Sequence, residues 1–152
     1  ANLIRDLLAP FGLIFLDPLD PQVRDTASPF LALAFEKAAS LLDALKTRSQ
    51  ELEAAGYHSQ VLVDGRSHMF FHLEDGVRRT LRLGDPDFAD FSQRPHALSP
   101  NALLRPVMQD YLLPTVAYVG GPAEIAYLGQ SHVLYEKLLG RMPVSIPRAG
   151  FT

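Results

Sequence analysis

The sequence predicts an α/β fold with a mostly parallel sheet and a small antiparallel meander. Three observations predict it. A strand-helix-strand succession runs from Thr115 to Ile146. Two Asp-Gly pairs, at 64–65 and 75–76, separate short strand-like runs. Between Phe30 and Leu45, apolar residues recur at three- and four-residue steps, as in a helix with one buried stripe.

The elements follow in order. Gly-Leu-Ile-Phe-Leu-Asp at 12–17 is a continuous apolar run ending in an acid, which predicts a strand buried on both faces. Pro18-Leu19-Asp20-Pro21 turns the chain. Ser28 as N-cap and Pro29 at the first helical position predict a long helix. Its last turns, Lys46 to Glu53, are polar, and Gly56 is its natural stop. Runs at 59–63, 68–73 and 77–83 then read as a meander, because Asp-Gly suits the positive φ of type I′ turns. Residues 84–98 read as a loop. Ser99-Pro100 predicts a short helix toward Tyr111, kinked or interrupted at Pro106. Residues 115–119 read as a strand, Pro122 opens a helix that Gly140 ends, and 144–146 reads as the last strand. The last three make a βαβ unit.

A chain of 152 residues, 47% apolar and 20% charged, suffices for one domain with one core. Residues 1–152 therefore read as a single domain. The start at Ala1 and the end at Thr152 predict a piece of a longer enzyme. The net charge of −3 argues against a nucleic-acid partner. With no cysteine, the chain has no disulfide, thiolate nucleophile or Cys-ligated metal, which suits a reducing, cytoplasmic compartment. No apolar run approaches the ~18 residues of a membrane span, and no signal-peptide pattern opens the chain.

Chemistry is best sought at the strand-to-helix turn holding Gly120, Gly121 and Glu124. Open α/β sheets bind ligands beyond the carboxyl ends of their strands. Paired glycines admit close approach, and a helix N-terminus favours anions. Glu124 disfavours an anion there and could hold an amine. Spacing alone leaves open a tight turn with Glu124 complementing the helix dipole. Asn101 and Arg105 would share a helical face and could clamp a carboxylate or phosphate, or be a cap and a solvated cation. His68 and His72 would share a strand face but lack a third metal ligand, so no metal is expected. Arg78, Arg79 and Arg82 read as a solvated edge. No dinucleotide fingerprint, P-loop or G-x-S-x-G elbow is present, so no residue stands out as a nucleophile or general base.

The stretches SPNALLRPVMQDYLLPT and YVGGPAEIAY, and more loosely GLIFLDPLDPQVRDTASPF, resemble the cysteine-adding enzymes of bacillithiol biosynthesis, the cysteine ligases. The resemblance implies a Rossmann-like three-layer core. It implies amide-bond formation between the carboxyl of cysteine and the amine of glucosaminyl-malate, with ATP as the expected activator in the full-length enzyme. It points to Asn101 and Arg105 for an anionic substrate group such as malate. It also points to Gly120 and Gly121 for close backbone approach, Glu124 and Tyr127 for polar positioning, and Arg148 for a carboxylate or phosphate. The family's N-terminal Thr-Gly-Gln-Gln motif is absent here, as is its C-terminal helical region, through which the full-length protein would form a homodimer. A non-catalytic Rossmann-like ligand- or nucleotide-binding module is the alternative, and an interaction domain a third.

Overall fold

The computed structural model describes residues 2–63, 69–74 and 77–150. The chain opens with helix α1 (Asn2–Leu8) and a 3-10 turn (Ala9–Phe11). Residues 13–17 follow without regular secondary structure, and no described strand pairs with them. The expected strand at 12–17 is therefore not formed, and Leu13, Ile14, Phe15 and Leu16 are exposed. An apolar run signals a need for burial; a strand also needs a neighbour to take its backbone hydrogen bonds.

Helix α2 (Pro21–Glu36) begins eight residues before the expected first helical position at Pro29. Asp20 is its N-cap, its Oδ1 accepting the Gln22 N–H at 2.8 Å, and Pro21 takes the first position. The Asp20-Pro21 pair carries the same start signal as Ser28-Pro29, one stretch earlier. Ser28 instead donates back to the Arg24 carbonyl at 3.0 Å, and Pro29 lies inside the helix. The expected single helix is divided at Lys37, beyond which α3 (Ala38–Ala54) continues. Gly56, at φ 86°, then turns the chain as expected.

Residues 59–63 are not a strand. A side chain stands in for the missing neighbour. The buried Gln130 amide accepts the Val61 N–H at 3.0 Å and donates to the Val61 carbonyl at 2.8 Å and to Ser49 Oγ at 3.1 Å. Both Asp-Gly turns, 64–65 and 75–76, lie outside the described residues. Strands β1 (Phe70–Glu74) and β2 (Val77–Leu81) pair antiparallel, with Glu74 opposite Val77. A third strand, β3 (Leu98–Pro100), joins the far side of β1, giving the order β2-β1-β3. The sequence reading placed a loop and a helix start there. Proline is tolerated because β3 is an edge strand, where no ladder bond is asked of its nitrogen.

Helix α4 (Arg105–Leu112) starts later than expected. Asn101 Oδ1 accepts the N–H groups of Leu103 and Leu104, both at 3.0 Å, and organises the turn ahead of it. Pro106 falls in the first turn of α4, where it introduces no kink. The βαβ unit forms as expected: β4 (Ala117–Gly120), α5 (Pro122–Leu139) and β5 (Val144–Pro147), with Val119 opposite Ile146 in parallel register. Gly140 ends α5 at φ 68°.

The described strands thus make two small sheets, an antiparallel one and a parallel pair, as the expected meander and parallel sheet in reduced form. The core lies between α2, α3, α4, α5 and the antiparallel sheet. Phe30, Leu41, Leu45, Phe70, Leu104, Leu134 and Tyr135 are fully buried within it, each contributing about 1.5–3 kcal/mol of transfer free energy. Phe35 stacks on Phe88 with ring centres 4.3 Å apart and leans on Phe70 at 5.6 Å, tying α2 to the antiparallel sheet. The parallel pair is less covered: Val119, Val144 and Ile146 are exposed.

Candidate functional site

Strand β4 delivers its carboxyl end at Gly120, and α5 begins two residues later. Space, not dihedral angle, favours glycine here, most at Gly120, since at Gly121 the neighbour is the movable end of Arg148. A Cβ on Gly121 would lie 2.8 Å from Arg148 Nη2, and one on Gly120 would lie 3.1 Å from Glu124 Cβ and 3.2 Å from Ile125 Cδ1. The close approach at this turn is made by the protein's own side chains. Arg148 is placed by β5: its N–H donates to the Gly120 carbonyl at 2.8 Å, extending the parallel ladder.

Glu124 Oε2 accepts the Gly121 N–H at 2.8 Å. The carboxylate therefore sits where an anion would dock on α5, complementing its dipole. A nucleotide phosphate does not fit this turn, since the donor is taken and the negative charge is already present.

Tyr118 donates to Glu124 Oε1 at 3.4 Å. Its phenol is pushed up to about 12, chiefly by burial, then by its hydrogen bond with Tyr127 and the charge of Glu124, while Arg105 pulls the other way. Tyr118 is thus a neutral hydroxyl at physiological pH, suited to hydrogen bonding rather than to general-base work. The sequence reading missed it. Strand alternation could have found it, since Tyr118 and Gly120 are two apart and share a face.

The carboxyl end of β4 thus gathers Gly120, Gly121, Glu124, Tyr118 and Arg148, with Tyr127 beside them, and the charge of Arg105 acts on Tyr118. Asn101 does not join them. It precedes α4 rather than lying on it, so the helical face expected to be shared with Arg105 does not form. The two line different cavities. Asn101 faces one of about 250 Å³ with Leu42, Leu45 and Val61, and Arg105 one of about 310 Å³ between α2, β3 and α4.

The family model for the N-terminal Rossmann-like domain of the bacillithiol biosynthesis protein BshC matches residues 1–149. This chain belongs to the BshC family. It is similar to the protein named "Putative cysteine ligase BshC" of Solibacter usitatus, 49% identical over 161 residues that cover 100% of this chain and 31% of that protein. The protein of the same name from Koribacter versatilis is 42% identical over 164 residues, covering 99% and 31%. That from Bacillus licheniformis is 29% identical over 165 residues, covering 99% and 31%. The chain spans about a third of the length of the curated relatives it matches.

Other expected features of this BshC-family domain can be placed. His72 packs edge-on against Phe91, ring centres 4.7 Å apart, and His68 lies outside the described residues. Among the described residues, no group of three His, Asp or Glu side chains could hold a metal ion, and no helix is long and apolar enough to cross a membrane. Arg78 and Arg79 are exposed on the edge strand β2, as expected of a solvated edge; Arg78 also donates through Nη2 to the Pro100 carbonyl at 2.9 Å, and its guanidinium lies 4.2 Å over the Phe71 ring.

Tyr135, beneath the site on α5, is fully buried and its hydroxyl meets no protein partner among the described residues. Burial, then the charge of Asp110, pushes its ionisation above the ordinary tyrosine value of 10.0. The stabilisation that Tyr118 and Tyr135 gain by staying neutral is full below pH 10 and is lost as pH rises through their folded values. Tyr135→Phe should flatten the alkaline loss of stability. At pH 7 it should raise stability by about 1–3 kcal/mol by removing an unpaired buried hydroxyl. A melting temperature that falls on this substitution would show that the hydroxyl is bonded.

Proposed function

We propose that this chain is part of a cytoplasmic cysteine ligase that joins the carboxyl of cysteine to the amine of glucosaminyl-malate, forming an amide bond in bacillithiol biosynthesis. The observation that carries the reading is the meeting of Tyr118, Tyr127, Glu124 and Arg148 at the carboxyl end of β4, the position where open α/β sheets bind substrates. Arg105 takes an acidic group of the acceptor. Glu124, already holding the turn, and the two tyrosines orient the acceptor's polar groups. Arg148, beside the same turn, takes a carboxylate. Such a ligation proceeds by positioning and charge stabilisation without a protein nucleophile.

Asn101 serves this site by setting the first turn of α4, which aims Arg105, and it reaches an anionic group only if the acceptor extends into the neighbouring cavity. ATP is held by segments outside this chain, because the β4–α5 turn does not accept a phosphate. The three-layer, mostly parallel Rossmann-like core is completed by those same segments. Exposed Val119, Val144, Ile146 and residues 13–16 offer them apolar surface. Dimerisation, too, belongs to a region outside this chain, and neither nucleic acid nor membrane takes part.

The test is steady-state ligation by the full-length enzyme. Arg105→Ala should raise the KM for glucosaminyl-malate by about tenfold or more, the scale of one charge-assisted contact of about 1.5–3 kcal/mol. The KM for cysteine should be unchanged. An unaltered KM for glucosaminyl-malate would remove Arg105 from the acceptor site.

A further inference from the structure

We infer that the cavity between α2, β3 and α4 is a binding site for a small dicarboxylate, held by Arg24, Arg78 and Arg105. All three arginines line this space of about 310 Å³, whose walls are otherwise largely apolar, with Ala27, Leu31 and Met108 among them. For Arg105 the inference rests on the acceptor reading above; for Arg24 and Arg78 it does not.

The free edge of β3 explains how two of the arginines come to be there. Arg24 Nη2 donates to the Leu98 carbonyl at 3.1 Å and to that of His96, and Arg78 donates to the Pro100 carbonyl at 2.9 Å. Each guanidinium thereby satisfies an edge carbonyl and is fixed in place. A structural role accounts for these bonds, but not for the charge. A guanidinium has five N–H donors, and the carbonyls use a minority of them. Among the described residues no carboxylate forms an ion pair with Arg24, Arg78 or Arg105. Three cations thus line one largely apolar hollow, Arg24 half-buried and Arg78 and Arg105 exposed, in a protein whose net charge is −3. Partial burial lowers the pKa of Arg24 from its ordinary value.

The hollow also lies at the first turns of α2 and α4, since Val23 and Arg24 come from one and Arg105 from the other. Both positive helix ends add to the field there. Arginine forks match carboxylates in paired hydrogen bonds. The separate origins of the three, from α2, β2 and α4, favour a ligand with two carboxylates on a short carbon body. A lone phosphate would concentrate its charge at one point and leave the apolar walls unused.

Calorimetric titration of the intact protein at low salt, with succinate, acetate and inorganic phosphate as separate probes, tests this. Succinate should bind saturably and at least about tenfold more tightly than acetate or phosphate, the equivalent of one further charge-assisted pair. Arg78→Gln and Arg24→Gln should each weaken succinate binding about tenfold or more, and Arg82→Gln, which lies outside the cavity, should leave it unchanged. Circular dichroism and melting check the fold of each variant. Should Arg24→Gln or Arg78→Gln fail to fold, the lysine variants keep the charge, lose the fork, and should still bind succinate more weakly. Absence of saturable succinate binding, tighter binding of phosphate, or succinate binding indifferent to Arg24 and Arg78 overturns the inference. Turnover is not read in these titrations. Intact succinate binding with no ligation by the full-length enzyme indicts the ligase reading instead, and ligation without it indicts this one.

Discussion

Phe30→Ala should cost about 3–5 kcal/mol, the largest loss expected of any single truncation in this fold. Phe30 is 1% exposed, and its ring centre lies 5.3 Å from that of Tyr111, so it joins α2 to α4. Its neighbour Pro29 sits inside α2 and cannot donate the hydrogen bond that helix geometry asks of that position. The middle of α2 is therefore weak on its own, and the burial of Phe30, Leu31 and Ala34 beside it holds the helix against the core. Domains of this size retain about 5–15 kcal/mol in all, so the loss is a large share of the whole. Urea unfolding should show a lower midpoint with an unchanged slope. Leu33→Ala, on the same helix but 37% exposed, should cost about 1 kcal/mol or less. Equal costs for the two would mean that α2 does not present this face to α4. A functional consequence follows from the same packing. Since α2 carries Arg24 and α4 carries Arg105, loosening their contact should weaken anion binding between them before the whole molecule unfolds.

What could be read from the sequence separates by the range of the interactions involved. The β4–α5–β5 unit was legible because its signals are local: Gly-Gly-Pro at the turn, Gly140 at positive φ, and apolar runs on either side. The β1–β2 hairpin was legible for the same reason. Elements that depend on distant partners were not. Residues 12–17 have the composition of a buried strand, yet composition does not supply the edge that would pair with them. Residues 98–100 look like a helix start and become a strand because β1 lies beside them. Residues 59–63 look like a strand and are held by one glutamine from α5. Ser28-Pro29 and Asp20-Pro21 carry the same signal, and the earlier one wins because a good cap at Asp20 lets Pro21 start the helix sooner.

The candidate site divides in the same way. Gly120, Gly121, Glu124, Tyr127 and Arg148 meet because one local unit carries them all. Arg105, on α4, lines the cavity beside α2 and β3, and Asn101 a different one. Arg24 and Arg78 gave no sequence signal of a shared site, since 54 residues and several elements separate them; only the free edge of β3 brings both to one place.

Asp110 is the polar residue whose loss should be felt most. Its side chain is 2% exposed. Oδ1 accepts the Thr115 N–H at 2.6 Å, and Oδ2 lies 3.0 Å from Arg141 Nη1 in an ion-pair contact outside good hydrogen-bond alignment. The Thr115 bond is the stronger of the two contacts, because Arg141 is half exposed and its charge is screened by water. Asp110→Ala removes the acceptor and leaves the Thr115 N–H without its partner, at a cost of about 2–4 kcal/mol. Asp110→Asn keeps an acceptor in the same place and should cost about 1 kcal/mol. That ordering tests the assignment: an asparagine variant as damaged as the alanine one would give the leading role to the Arg141 charge instead. The readout near the site is amide exchange. Thr115 leads directly into β4, so Asp110→Ala should speed exchange along Ala117–Gly120 while the α3–α5 contact keeps its protection. Loosening β4 moves Tyr118 and Gly120 together. Asp110, which touches neither of them, thereby fixes the strand end on which the proposed acceptor site is built.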